Sequence, residues 1–258
     1  MMIHSNIIKK IALLSFACSF FLSAKASYIL IPMDKSQNNH LKAYGIAYYA
    51  IERGIKVDWL LNYEGGSFMM RYNNKIEKEC NIRDVSFNVI PNIKATHILQ
   101  SIASPAVNQD IVRLEKAPKI AIYSPKNKQP WDDAVTMALT YAEIPYEIVY
   151  DEEVLSNLLP LYDWLHLHHE DFTGQYGKFY ASFKNATWYK EGKRNSERLA
   201  KKLGYNKVSD AKLAVAKKIK EFVFSGGFLF AMCSATDSYD IALASEGIDI
   251  CREMFDGD

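Results

Sequence analysis

Apolar and polar residues follow one another in blocks near the start of the chain, in the order expected of a strand, a helix and a strand. Residues 28–32 form a short apolar run that ends at a polar segment. Residues 40–53 place apolar side chains three and four positions apart, which predicts a helix that ends at Gly54. Residues 55–61 form the next predicted strand. The apolar stripe of the predicted helix consists of Leu41, Tyr44, Ala47, Tyr48 and Ile51.

The same order recurs in the second half of the chain. Residues 120–123 predict a strand, residues 132–142 a helix with one apolar face, and residues 146–150 another strand. Alternating strands and helices are typical of an α/β fold with a mostly parallel sheet and helices on both faces. We therefore predict two βαβ-type units, residues 27–117 and residues 118–258, and the pattern is compatible both with two domains and with one continuous sheet.

The remaining pattern adds elements to the second unit. Residues 151–158 and 211–224 predict helices, and residues 162–167 and 228–232 predict strands. Residues 168–195 are polar and aromatic, without a clear apolar period. Connections of that length are usually binding segments or lids, so we expect a functional loop there.

The first 26 residues predict a secretory signal peptide. Lys9 and Lys10 precede an apolar run over residues 11–22, and small residues at positions 24 and 26 suit a cleavage site. The run is shorter than the roughly 20 residues that span a bilayer. We therefore expect an exported protein, in the periplasm or cell envelope of a Gram-negative-type bacterium, with no transmembrane segment in the mature chain.

The net charge argues against a nucleic-acid partner, and the number of cysteines argues against a fold held together by disulfides. The net charge is +1 with charges of both signs interspersed, which excludes the basic footprint of a nucleic-acid-binding protein. After residue 26 the chain has Cys80, Cys233 and Cys251, an odd number that argues against a disulfide framework. No cofactor motif is evident, and the expected partner is a small-molecule substrate or ligand.

Cys233 lies where the predicted strand 228–232 meets a small, polar stretch, residues 234–240, that predicts the start of a helix. A thiol at such a junction projects from the sheet, and the helix N-terminus favours its thiolate and offers N–H donors to an oxyanion. Cys233 is therefore the candidate nucleophile. The alternative is a small buried hydrophobic residue, the commonest role of a free cysteine.

A second group of reactive side chains follows the predicted strand 162–167. His168 and His169 are candidate catalytic bases, and Glu170 and Asp171 are candidate substrate-binding residues, together with Ser234 and Asp237 after the cysteine. Ligands of open α/β sheets bind beyond the carboxyl ends of the strands, so this group and Cys233 are expected at the same edge.

Two other interpretations of the histidines remain open. The side chains could cap the strand and hydrogen-bond the loop. Alternatively, His166 and His168 alternate onto one side of an extended chain and could bind a metal together with Asp171.

The order of elements from residue 119 to residue 258, with the segment GGFLFAMCSATDS, resembles the class I glutamine amidotransferase-like superfamily, whose flavodoxin-like fold is a parallel sheet between helices. The resemblance implies that Cys233 is the nucleophile and that residues 168–171 form the oxyanion loop. The family elbow reads Gly-x-Cys-x-Gly, whereas this chain has Ala231 and Ala235, and no histidine follows Cys233. Either the activity is lost, or His168 or His169 substitutes, or the chain stops short of its natural end.

The segments YILIPMDKSQNNHLKAYGIAYYAIERGIKVDWLLNYEGG and FAMCSATDSYDIALAS also resemble exported Bacteroidetes-type proteins that carry the label asparagine synthetase B. The label implies ATP-driven, glutamine-dependent amide transfer that begins with a cysteine at position two. This chain has Met2 there.

The sequence therefore predicts a cysteine-dependent amide hydrolase or glutamine amidotransferase relative. The alternative is a non-enzymatic envelope module that binds a small polar or glycan ligand through aromatic side chains of residues 172–189, such as Tyr176 and Trp188. Metal-dependent hydrolysis at His166, His168 and Asp171 is the third hypothesis.

Overall fold

The computed structural model describes residues 27–125 and 134–257. The predicted signal peptide and the first two residues of the predicted helix 132–142 lie outside these ranges. The chain divides into two compact units, Met1–Ala117 and Pro118–Asp258. Within the described residues, no helix combines the length and the apolar character needed to cross a membrane.

The N-terminal unit contains five strands and three helices among its described residues. In chain order they are β1 (Ser27–Ile31), α1 (His40–Glu52), β2 (Val57–Leu61), β3 (Ser67–Arg71), α2 (Asn74–Ile82), β4 (Asn88–Pro91), α3 (Asn92–Ile102) and β5 (Asp110–Leu114). The sheet has the order β4-β1-β3-β2-β5, and every neighbouring pair is antiparallel.

The prediction of a mostly parallel sheet is therefore wrong for this unit. The predicted strands and helix exist as β1, α1 and β2, but β1 and β2 are not neighbours. Gly65 and Gly66 adopt positive φ angles of 79° and 96°, which turns the chain back after β2 so that β3 pairs with both strands. β3 is buried over its first four residues and lies between β1 and β2 as the central strand of the sheet.

The two faces of the N-terminal sheet pack against different helices. Ile29 and Ile31 belong to a core that includes residues of α1 and α2, whereas Leu30 belongs to a second core with residues of α3. This alternation is the period-two pattern of a strand that is buried on both faces.

The C-terminal unit has a parallel sheet with the order β7-β6-β8-β9. Its described elements in chain order are β6 (Ile120–Tyr123), α4 (Ala134–Ala142), β7 (Glu147–Val149), α5 (Asp151–Leu155), a 3₁₀ turn (Leu159–Leu161), β8 (Trp164–Leu167), α6 (Gly177–Phe183), α7 (Thr187–Lys202), α8 (Val208–Phe224), β9 (Phe228–Ala231), α9 (Cys233–Ala244) and α10 (Glu253–Asp256).

Helices cover both faces of this parallel sheet, so the predicted α/β architecture is confirmed for the C-terminal unit. Ile120 and Ile122 pack with Leu139 of α4 on one face. Ala121 and Tyr123 face a larger core, formed with residues of α5, α8 and α9.

The prediction of a loop over residues 168–195 is wrong in its second half, where the chain forms α6 and most of α7. The physical reason is that α7 buries little: Tyr189 and Ala200 are its buried residues, and most other positions are polar and exposed. A helix with so few apolar residues is easily taken for a polar loop when only the spacing of apolar residues is considered.

Candidate functional site

Cys233 occupies a sharp turn between β9 and α9. Met232 is still extended, with φ −131° and ψ 163°, and Cys233 has φ +50° before the helix continues. Left-handed backbone costs a non-glycine residue roughly 1–2 kcal/mol, and such strained turns present the nucleophile in α/β-hydrolases. The side chain is exposed. The strand and helix predicted around Cys233 are thus confirmed, and the alternative of a buried cysteine is wrong.

The pairing of β8 with β9 brings the two predicted groups of reactive side chains together. Leu167 is in register with Ala231, and the Met232 N–H donates to the Leu167 carbonyl at 2.9 Å. The next residues of both strands therefore emerge at the same edge of the sheet. The Cys233 sulfur, one ring nitrogen of His168 and one ring nitrogen of His169 all lie within 4.8 Å of one another.

The two imidazoles stack on each other beside the thiol. The ring centroids of His168 and His169 are 3.6 Å apart, with 27° between the ring planes. His168 is half-buried, whereas His169 is exposed. Of the two, His169 is therefore more accessible to a molecule that approaches Cys233 from solvent.

Three hydrogen bonds connect the segment after β8 to α9. The Ala235 N–H donates to the His168 carbonyl at 3.0 Å, the Ser234 hydroxyl to the His169 carbonyl at 3.0 Å, and the Ser238 hydroxyl to the Glu170 carbonyl at 2.9 Å. Ser234, predicted to bind substrate, thus positions the histidine backbone relative to Cys233. Ser238 has the same function and was missed by the sequence interpretation.

The carboxylates of Glu170 and Asp171 accept hydrogen bonds from backbone N–H groups of neighbouring residues. The His169 N–H donates to Glu170 Oε2 at 3.2 Å, and burial is the main reason that the pKa of Glu170 is raised. Asp171 Oδ1 accepts from the N–H and the hydroxyl of Thr173, at 2.9 and 2.6 Å. Both carboxylates therefore order the segment. Asp237 differs from them because it is exposed, one turn further along α9 from Cys233.

The metal site predicted from His166, His168 and Asp171 differs from the group of potential metal ligands that converge among the described residues. That group is His168, His169 and Cys233. His166 is fully buried and its ring stacks on Phe230, with 5.8 Å between centroids.

A buried charged cluster, which the sequence interpretation missed, lies at the carboxyl ends of β6 and β7. Lys212 Nζ of α8 is 2.8 Å from Asp151 Oδ1, 2.8 Å from the Tyr123 hydroxyl and 3.1 Å from the Tyr150 hydroxyl. The Tyr123 hydroxyl also donates to Asp151. We refer to Lys212, Asp151, Tyr123 and Tyr150 as the Lys212 cluster.

Electrostatics within the Lys212 cluster favour a charged lysine. Burial alone would lower the pKa of Lys212, but the charges and hydrogen bonds of Tyr150 and Asp151 raise it above its usual value. Burial, followed by the Asp151 charge, raises the pKa of Tyr123 well above its usual value. The sequence does indicate that Lys212 is buried. It lies three and four positions before Val215 and Ala216, and this spacing places all three residues on the buried face of α8.

Two surface cavities, of about 480 and 440 Å³, lie along α7 and α2 and contain none of the residues around Cys233. They are lined by side chains of a single helix each, mostly charged or polar. Cys233 therefore lies at an exposed turn and lines neither of these two cavities.

Comparison with known proteins found no match to this chain among family models, curated proteins or solved structures.

The strain at Cys233 leads to a first prediction. Cys233→Gly is expected to raise the free energy of unfolding by about 1 kcal/mol, because glycine adopts positive φ without strain and the exposed thiol contributes little packing. Denaturant unfolding measures the change. Glu143→Gly, at an exposed turn with φ 59°, is the matched control for the backbone effect. A destabilised Cys233→Gly protein together with a stabilised control would contradict the prediction.

Proposed function

We propose that the C-terminal unit is a cysteine-dependent hydrolase of an amide or a related acyl bond, with a class I glutamine amidotransferase-like arrangement. One observation carries the proposal. An exposed cysteine with positive φ, at a strand-to-helix turn, lies within 4.8 Å of two imidazoles at the carboxyl edge of a parallel sheet. A nucleophile, a base within reach and N–H donors at a helix start are the parts that acyl transfer needs.

In the proposed reaction, the Cys233 thiolate attacks the carbonyl carbon and a C–S bond forms. His169 takes the thiol proton and delivers it to the leaving amine when the C–N bond breaks. Water, deprotonated by the same imidazole, then attacks the thioester and releases the acid and the free thiol. We assign the proton transfer to His169 because it is exposed, and the positioning of its ring to His168, which stacks against it.

The developing oxyanion requires N–H donors near Cys233. The backbone N–H of Ser234 is the donor expected at an elbow of this kind. The His169 N–H already donates to Glu170, so a second donor from this segment requires the Glu170 carboxylate to move. The exposed Asp237 is the residue we propose for contact with a polar group of the substrate.

The wider assignment follows from the resemblances. Glutamine amidotransferase relatives hydrolyse a side-chain amide, so a small amide is the proposed substrate class. Export to the periplasm or cell envelope, and the relation to proteins labelled asparagine synthetase B, remain predictions from the sequence. ATP-driven amide transfer forms no part of the proposal.

A binding module is the second candidate function, because three large aromatic side chains of α6 and α7 are partly exposed together. Phe179 and Phe183 both contact Trp188, with ring centroids 5.9 and 5.2 Å apart. Exposed aromatic groups of this size are typical of ligand or partner surfaces. This function would survive Cys233→Ser and be lost in Trp188→Ala.

Alkylation tests the proposed nucleophile. Iodoacetamide at about pH 6 is expected to modify Cys233 at least about tenfold faster than free cysteine, because the proposed mechanism places a proton acceptor, His169, beside an exposed thiol. Cys80 and Cys251 are internal controls, since burial raises the pKa of each thiol to about 12. Peptide mass mapping at successive times identifies the modified residue.

His169→Ala is expected to slow modification of Cys233 to the rate of a free thiol. The matched control is His97→Ala, which removes an exposed histidine from α3 of the other unit. Modification of Cys233 only after unfolding, or at equal rates with and without His169, would overturn the proposed function.

A further inference from the structure

The residues around Cys233 have the composition of a zinc site as well as that of a catalytic site. Zinc in proteins is bound by thiolate and imidazole, and three protein ligands with an open fourth position define its solvent-accessible sites. Among the described residues, the potential ligands that converge are one thiol and two imidazoles, from His168, His169 and Cys233. We propose that these three side chains bind a Zn²⁺ ion, which blocks the thiol while it is bound.

The spacing of the three ligand atoms is slightly wider than a zinc ion requires. They lie within 4.8 Å of one another. Zinc–ligand bonds of 2.0–2.3 Å in a tetrahedral arrangement imply roughly 3.3–3.8 Å between ligand atoms. The site must therefore contract by about 1 Å, and the stacked rings must rotate so that both present a nitrogen to the ion. Rotation of the exposed side chains of Cys233 and His169 can supply this movement.

The backbone that carries the ligands is already fixed. The hydrogen bonds from Ala235 and Ser234 of α9 hold the carbonyls of His168 and His169 at 3.0 Å. The parallel pairing of β8 and β9 fixes the strand ends from which both segments emerge. Zinc binding thus needs side-chain rotation only, which limits the entropy that is lost on binding.

The choice of metal follows from the donor atoms. Thiolate and imidazole favour Zn²⁺, whereas Mg²⁺ and Ca²⁺ need several oxygen ligands. The neighbouring carboxylates do not complete the set, since Glu170 accepts the His169 N–H and Asp171 accepts from Thr173. Water is therefore the expected fourth ligand.

Zinc and the proposed thiol chemistry exclude each other. The Zn–S bond uses the sulfur lone pair that would attack a carbonyl, and the thiol proton is released to solvent. Zn–N bonds use the nitrogen lone pairs that would accept that proton. Metal binding itself stands on the ligand geometry alone, whereas the inhibition rests on the proposed function.

The test is a titration of the metal-free full chain with Zn²⁺ in competition with a chromophoric chelator. We expect one ion per chain, bound at least about tenfold more weakly by Cys233→Ser and by His169→Ala. His97→Ala is expected to bind as the unchanged chain does. With Co²⁺ in place of Zn²⁺, a thiolate-to-metal charge-transfer band is expected and should disappear in Cys233→Ser. Serine is nearly isosteric at this exposed position, so the variant is expected to fold.

The outcomes separate this proposal from the proposed function. Zn²⁺ that binds with unchanged affinity to Cys233→Ser, or stoichiometric binding without the charge-transfer band, overturns the zinc site. Absence of Zn²⁺ binding with rapid alkylation of Cys233 also overturns the zinc site and leaves the hydrolase proposal standing. Binding that depends on Cys233, in a chain whose metal-free thiol is unreactive, supports the zinc site and overturns the hydrolase. If both proposals hold, stoichiometric Zn²⁺ protects Cys233 from iodoacetamide.

Discussion

Lys212→Met is expected to lower the free energy of unfolding by about 3–5 kcal/mol, as the removal of one partner of a buried ion pair usually does. Lys212 and Asp151 are both buried, and Lys212 Nζ lies 2.8 Å from Asp151 Oδ1. Methionine has nearly the same volume and cannot donate a hydrogen bond. The Asp151 carboxylate would then remain buried with the Tyr123 hydroxyl as its donor, and the hydroxyls of Tyr123 and Tyr150 would lose Lys212 as a partner.

Denaturant unfolding measures this loss, and two further variants establish its cause. Lys220→Met, at an exposed position of the same helix, is expected to change stability by less than about 0.5 kcal/mol. Lys212→Met combined with Asp151→Asn removes both charges and should be less destabilised than Lys212→Met alone. If the double variant loses as much as the sum of the two single variants, the ion pair is not the source of the effect.

The Lys212 cluster also illustrates a contact that the sequence could not predict. Lys212 and Asp151 are separated by 61 positions, and Lys212 and Tyr123 by 89. The lysine can be placed on the buried face of α8 from its spacing to Val215. The pattern does not reveal which carboxylate neutralises it, because that depends on which strand ends the sheet brings together.

Local pattern was sufficient for the parallel sheet of the C-terminal unit and insufficient for the antiparallel sheet of the N-terminal unit. In the C-terminal unit, the strands β6 and β8 are apolar except for His166 and are separated by helices, so element type and strand direction follow together. In the N-terminal unit, β1, α1 and β2 have the same local signature. Their arrangement differs because β3 pairs between the strands, and pairing between distant segments leaves no periodic trace in either one.

The sequence predicted which residues of the candidate site lie close together, because their positions are set by the ends of neighbouring strands. Cys233 and residues 168–169 follow neighbouring parallel strands, and the structure brings them within reach of one another. Side-chain direction was not predictable in the same way. Glu170 and Asp171 look like substrate ligands in the sequence, but a short carboxylate side chain readily accepts from nearby backbone N–H groups. Through these local hydrogen bonds, both carboxylates order the backbone of the segment.

Phe172, which directly follows the His168–Asp171 segment, anchors that segment in the core, and its removal is the second substitution with a large expected effect. Phe172 is fully buried and stacks on Tyr123 of β6, with 5.2 Å between ring centroids. Its edge also meets Tyr239 of α9 at 5.8 Å. The ring therefore packs against β6 and α9 directly after Asp171, at the end of the segment that carries the histidines.

Phe172→Ala is expected to lower the free energy of unfolding by about 3–5 kcal/mol, because it leaves a cavity between a strand and a helix that cannot readily collapse. Denaturant unfolding gives the magnitude. Phe179→Ala, which removes a partly exposed ring from α6, is the control and should cost less than about 1.5 kcal/mol. Equal losses in the two variants would contradict the supporting role of Phe172.

The same substitution also tests how the site depends on its support. Without Phe172, the His168–Asp171 segment keeps its hydrogen bonds to α9 but loses the packing that holds Asp171 and Thr173 in place. We therefore expect faster amide hydrogen exchange over residues 168–176 and slower iodoacetamide modification of Cys233 under conditions in which the protein is still folded. In the proposed mechanism Cys233 needs His169 at a fixed distance, so loss of segment order should appear as loss of thiol reactivity before global unfolding. Unchanged reactivity with increased exchange would mean that the imidazoles do not activate the thiol.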